Sequence, residues 1–118
     1  RVAWALSQVV VLNQGRSEAR LLFYDIFVRH AFGNYRDIMR EVSFSPAMGM
    51  FLTLVDSRSL AYGTPPDENY ARELMQLFTI GLFELNLDGT PQRDAAAEPI
   101  ATYETESIMS FARAWTGM

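Results

Sequence analysis

The sequence predicts an all-α protein, a compact bundle of about six helices with room for one short β-hairpin between the last two. Three observations lead there. Apolar residues recur at three- and four-residue spacing through most of the chain. Residues that start helices stand before those runs, and a glycine closes one of them. Only residues 86–101, "NLDGTPQRDAAAEPIA", combine an Asp-Gly turn with two prolines, and the hairpin belongs there.

Residues 2–12 read as a nearly all-round apolar helix, hence central and buried. "NQGR" breaks it, and Ser17 is placed to cap a second helix with Glu18 in its first turn. Leu21, Leu22, Phe23, Ile26, Phe27 and Val28 give that helix a broad inner face, and Asp25 with Arg29 makes an (i, i+4) ion pair. Gly33 suits the left-handed position that ends it. Asn34 then starts a short third helix, with Asp37 as the return half of a capping box and Ile38, Met39 and Val42 facing inward.

Ser45-Pro46 pairs a cap with proline at the first helical position, opening a fourth helix to about Asp56 through Met48, Phe51, Leu52 and Val55. "DSRSLAYGTPP" is a loop. A fifth helix starts at Thr64 or Asp67 and runs to about Leu85. Thr102 caps the last, whose inner face is Ile108, Phe111, Ala112 and Trp115. Met48, Met50, Phe51, Tyr62, Trp4 and Trp115 read as core packing. No internal repeat or low-complexity tract is visible.

At 118 residues the chain has the length of one domain, 1–118. It opens at Arg1 inside an apolar helical run and closes directly after another, so it reads as a fragment of a longer protein. Net charge is −4, all ten basic residues are arginine, and they are scattered; nucleic acid is not an expected partner. Without cysteine or lysine there is no thiol nucleophile, thiolate metal site, Schiff base or Walker lysine. One histidine excludes a zinc site needing two imidazoles from this segment. No apolar run is long enough for a membrane span, and no cofactor is expected.

The most informative stretch is the fifth helix. At 100° per residue, Asn69, Arg72, Glu73 and Gln76 share one face, while Tyr70, Leu74, Leu77, Phe78 and Gly81 share the other. Continuing the polar stripe reaches Ile80 and Phe83, so this face is expected at a half-buried boundary. Charges there need partners. Arg29, His30 and Arg113 are the candidates for the acids, and Asp25 and Glu106 for Arg72. The bland reading is an ion-pair and amide network locking helices together; the sharper one is a catalytic or ligand site with candidates Glu73, Arg72, Asn69, His30 and Arg29.

"ELNLDGTPQRDA" has the oxygens of a calcium loop at Glu84, Asn86 and Asp88, but Ala95 stands where the closing bidentate Glu should be. Asn86 and Asp88 are thus weak metal candidates against a plain Asp-Gly turn. Glu104 and Glu106 would splay about 200° around a helix and could not clamp one substrate together.

"RVAWALSQ", "VRHAFGNYRDIM", "SPAMGMFL", "PDENYARELMQLFTIG", "ELNLDGT" and "ARAWTGM" resemble, in that order, the bacterial family called domain of unknown function 1800, essentially from end to end. The resemblance implies a longer parent protein, bacterial and often exported, hence periplasmic or extracellular. It supplies no reaction, and points only to where shared residues fall: Arg29, His30, Asn34 and Arg36, and Glu68, Asn69, Arg72 and Glu73. The chain departs from the family pattern at Glu104, where Thr or Ser is common, at its closing "WTGM", and near Ala96-Ala97, where an Asn-Gly turn is often seen.

The expected role is therefore a helical core segment of an exported bacterial protein, structural or binding. The rival is a hydrolase-like or metal-dependent enzyme using the Glu/Arg/His/Asn cluster. A third reading is a docking module. Expected partners are the remaining segments of the parent, a protein partner or a second copy.

Overall fold

The computed structural model describes residues 1–13 and 15–117. Six α-helices form among them: α1 (Val2–Val9), α2 (Ser17–Arg29), α3 (Tyr35–Ser43), α4 (Pro46–Phe51), α5 (Asn69–Glu73) and α6 (Thr105–Ala112). Single 3-10 turns add Leu60–Tyr62 and Arg113–Trp115, and a π-helical turn, Leu74–Phe78, continues α5. The all-α class is as the sequence predicts. The body measures 51 × 45 × 22 Å, about two helix diameters thick, so much apolar surface stays near the outside.

The principal core lies where α2, α3, α4 and α5 meet. Phe23, Ile26 and Phe27 from α2 close on Ile38, Met39 and Val42 from α3, on Met48, and on Tyr70 and Phe78. Phe23 and Phe27 stack edge to face with ring centroids 5.3 Å apart, an arrangement favoured by the ring quadrupoles. A smaller cluster, Ala71, Ile108 and Ala112, joins α5 to α6. Trp115 bridges the two, its ring edge-on to Tyr70 at 5.1 Å. The Tyr70 phenol shares a 2.6 Å hydrogen bond with the Ser43 hydroxyl, which also lies 2.6 Å from the Met39 carbonyl.

Several local expectations hold. The Asn34 side chain accepts from the Arg36 amide at 2.9 Å, capping α3. Pro46 occupies the first turn of α4, and Ile38, Met39 and Val42 are all buried.

Others are overturned. α1 lies at the margin: only Ala3 is buried within it, and Trp4 is 63% exposed. An apolar circumference made it look central, but in a thin body only one side is covered. Leu21, Leu22 and Val28 likewise face outward on α2, as do Met50 and Tyr62. Arg16 rather than Ser17 holds the cap position of α2. Gly33 is not left-handed, and a Cβ there would sit at ordinary contact distance, 3.4 Å, from His30 Nδ1.

α4 stops at Phe51, five residues short of Asp56, because Thr53 and Asp56 turn left-handed (φ 55° and 66°). The turn folds Val55 back, its amide donating to the Gly49 carbonyl at 3.0 Å.

α5 departs furthest from the expected length. It starts at Asn69, with Glu68 in the cap position, later than Thr64 or Asp67; Asp67 only accepts from the Asn69 amide at 2.9 Å in the turn before it. Helical structure then ends at Phe78 rather than Leu85. Thr79 turns its hydroxyl onto the Leu74 carbonyl at 2.6 Å, and Tyr35 donates to the Phe78 carbonyl at 2.6 Å. Gly81, left-handed at φ 77°, returns its amide to Met75. With the last carbonyls satisfied by side chains and a glycine, the helix cannot propagate.

Residues 82–102 form an arm. Among the described residues it carries isolated antiparallel bridges (Phe83 with Ala101, Leu85 with Pro91, Arg93 with Pro99) and no named strand. Its centre is a closed ring of three backbone bonds: Glu84 donates to Ile100, Ile100 to Gln92, and Gln92 to Glu84, at 2.9, 3.0 and 2.8 Å. The three residues are eight apart, as are Pro91 and Pro99. Eight apart too are the left-handed turn residues Gly89 (φ 84°) and Ala97 (φ 66°). Contrary to the sequence reading, a short structural repeat is therefore present. Thr102 caps nothing; its hydroxyl donates to the Gly81 carbonyl, and Glu104 precedes α6.

Candidate functional site

The candidate residues fall into two separate groups. The first joins α2 to α3. A short connection, residues 30–34, leads into α3, which packs on α2 with Glu41 beside the last turn of α2. Arg29 donates from Nη1 and Nη2 to the two Glu41 oxygens at 2.9 and 2.5 Å, and from Nε to Asp25 at 2.9 Å. His30 Nε2 lies 2.6 Å from Glu41 Oε1. One carboxylate thus gathers a bidentate guanidinium and an imidazole, a strong charge-assisted arrangement.

The Arg29 guanidinium first, and His30 second, hold the Glu41 carboxyl well below its usual value, down to about 2. The same contacts push Arg29 upward, so it stays charged. Glu41, which the sequence did not single out, is the hub of this group. Nothing local marks it: Glu41 meets Arg29 and His30 only once α3 packs on α2.

Chemically, the arrangement orients one imidazole. Nε2 is committed to Glu41, and Nδ1 lies over Gly33. A recess of about 440 Å³ beside it is lined by His30, Asp37, Arg40, Glu41 and Phe44. Carboxylate-held histidines of this kind can act as bases or stay structural.

The second group is the polar stripe of α5. Asn69 is exposed and donates to Thr53 Oγ1 at 3.0 Å, steadying the left-handed turn after α4. Arg72 pairs with Glu68, one turn earlier, at 3.1 Å. That Glu68 oxygen lies off the hydrogen-bonding direction of the guanidinium, so the contact is an ion pair without a well-aligned bond. Glu73 is half-buried, and its Oε2 is shielded from solvent with no hydrogen-bond partner. Gln76 is half-buried as well.

The expected cross-helix pairs do not form. Among the described residues no hydrogen bond or ion pair links Arg29, His30 or Arg113 to Glu73, or Asp25 or Glu106 to Arg72. Arg29 and Asp25 are engaged with each other, and Glu41 takes the place foreseen for Glu73.

In the arm, Asp88 accepts from the Thr90 amide at 2.9 Å and the Thr90 hydroxyl at 2.6 Å, while Asn86 donates to that hydroxyl at 3.1 Å. The Thr90 hydroxyl chiefly holds the Asp88 carboxyl below its normal range. These oxygens serve a turn, and among the described residues no group of three His, Cys, Asp or Glu is placed to hold a metal ion. Glu104 and Glu106, expected to diverge, border one shallow depression because Glu104 lies outside the helical spiral.

Tyr70 and Tyr35 are both pushed above the usual phenol range by burial, the Ser43 hydrogen bond partly opposing the shift at Tyr70. They are interior hydrogen bonders. No helix of the described residues is long and apolar enough to cross a membrane.

Comparison with curated proteins and with solved structures finds no match. The family model described as "Protein of unknown function (DUF1800)" matches residues 1–118. The chain, with its Arg29–His30–Glu41 clasp and its split polar stripe, belongs to that family.

Proposed function

We propose that the chain is a structural and binding segment of an exported bacterial protein, working in the periplasm or at the outer surface. The location rests on the sequence resemblance. The observation that carries the role is the uncovered apolar surface of the arm and its root. Leu77, Ile80, Leu82, Leu85 and Leu87 stand 45% exposed or more, Leu87 completely so. Uncovered apolar side chains gathered in one short stretch of chain favour an interaction role, and the occupants that suit it are other segments of the parent protein, a partner protein or a second copy.

Replacing Leu82, Leu85 and Leu87 together by Ser tests this. Binding of an apolar dye and any self-association should fall, with the melting temperature unchanged. A large loss of melting temperature would instead make these residues internal core, and the role would fail.

A second reading is favoured by one specific contact, His30 held by Glu41 at 2.6 Å beside a recess. It makes the chain a hydrolase-like or metal-dependent enzyme with Arg29 and His30 as working residues, and Asn69, Arg72 and Glu73 as a separate polar face. Divalent ions that raise the melting temperature reversibly, and lose that effect in His30→Gln, would support it. A clasp that is only structural predicts no response to ions.

A further inference from the structure

We propose that the groove between α1 and α2 binds an apolar small molecule carrying one carboxylate, of the fatty-acid class. This goes beyond the docking role assigned to the arm, since it concerns another surface and another kind of ligand. The groove, open along one side, offers about 610 Å³, within the range of about 300–1,000 Å³ common for small-molecule sites. Its floor is Val10, Phe23 and Phe27, all at most 5% exposed. Val11, Leu12, Leu21 and Tyr24 form its walls.

The rim decides the ligand's chemistry. Ser7, Gln8 and Ser17 offer neutral hydrogen-bonding groups, and Arg20 is the single charged residue lining the groove. Among the described residues Arg20 has no ion-pair partner, as holds for most of the arginines; what sets it apart is its place on the rim of this groove. Its stem passes Gly15, where a Cβ would lie 3.7 Å from the Arg20 Cγ. Lying along backbone in this way, an arginine keeps its head in water while the stem covers apolar surface. One cation over a largely apolar trough, with no acid among the described lining residues, complements one carboxylate on a hydrocarbon chain. A zwitterion or a cation would leave a charge unmatched.

Competing occupants leave different traces. A helix from another protein, or a second copy of this chain, would fill the same trough without needing the arginine's charge. The carboxylate ligand needs both the trough and the charge.

The test is a fluorescence titration with a dansyl-labelled undecanoic acid, with the matching undecanol as neutral probe. The whole chain should bind the acid saturably and more tightly than the alcohol. Arg20→Gln should weaken the acid roughly fivefold, the scale of one partly exposed ion pair, and leave the alcohol unchanged. Val11→Asp, in the wall, should abolish binding of both probes, and circular dichroism checks that it still folds. Leu87→Ser, on the arm, should change neither, which separates this site from the docking face. Equal affinity for acid and alcohol, or an Arg20→Gln variant that binds the acid as before, overturns the proposal. So does absence of saturable binding in the folded protein, or displacement of the probe by self-association in sedimentation.

Discussion

Two polar clusters lie on neighbouring helices, and they are built differently. Around Glu41 every strong group is answered: Arg29 is bidentate, His30 completes the shell, and Asp25 holds the remaining Nε. On α5 the charges are answered locally or not at all. Arg72 turns back to Glu68, and a Glu73 oxygen is shielded without a partner. Distant residues meet in the first case because α2 and α3 are regular and joined by a short link. In the second, the helix dissolves into a π-turn after one turn and a half, so the polar stripe never reaches a facing helix.

The largest expected contrast follows from that difference in order. Phe27, fully buried in the α2–α3 region, should cost about 3–5 kcal/mol when replaced by Ala. Leu87, on the arm, should change stability by no more than about 0.5 kcal/mol when replaced by Ala. Chemical denaturation of both variants measures the gap. Comparable losses would mean that the arm belongs to the same cooperative core.

Next in size is a steric effect. A Cβ on Gly49 would lie 2.9 Å from Val55 Cγ2, closer than carbon atoms tolerate, and valine has little rotamer freedom with which to yield. Gly49→Ala should cost about 1–3 kcal/mol. The double variant with Val55→Ala should recover most of the loss, which a helix-propensity effect alone would not do.

The clasp makes a pH prediction with a definite sign. Folding lowers the Glu41 carboxyl from 4.5 to about 2. The stabilisation is complete above about 4.5 and disappears as pH falls through about 2. Because the side chain is 37% exposed, solvent and salt weaken the effect. Glu41→Gln should flatten the acid limb of the melting-temperature profile, and the wild-type limb should shrink at high salt. An unchanged limb would mean that the clasp adds nothing to stability.

How much of this was readable beforehand divides along the same boundary. Periodicity located the helices and identified Phe23, Ile26, Phe27, Ile38, Met39 and Val42 as core, since a helix facing other helices obeys a single period. The Asp25–Arg29 pair was legible for the same reason. Periodicity failed for Leu21 and Trp4, because it marks an apolar side without saying whether anything covers it. It failed again after Phe78, where the sequence stays helix-like through Leu82. A hydroxyl from Tyr35, forty-three residues earlier, takes the terminating carbonyl there. Tertiary partners of that kind leave no local trace. Glu73 looked like the hub of the polar residues because it lay on the striped face; the hub is Glu41, whose neighbours emerge only when α3 is packed on α2.

The smallest prediction concerns the arm's two matching turns. Gly89 and Ala97 hold equivalent left-handed positions, eight residues apart. Glycine adopts that conformation freely, whereas alanine crowds its Cβ against the following carbonyl, at roughly 1–2 kcal/mol. Glycine also loses more entropy on folding, which offsets part of the difference. Ala97→Gly should therefore stabilise the arm by about 0.5 kcal/mol, and Gly89→Ala should weaken it by a similar amount or more. The readout is hydrogen exchange at the Glu84, Gln92 and Ile100 amides, which close the ring. Slower exchange in Ala97→Gly and faster exchange in Gly89→Ala, at all three amides together, would make the ring one cooperative unit. Protection that changes only at the amide nearest each substitution would make the turns independent, and the ring a consequence of two separate hairpin-like bends.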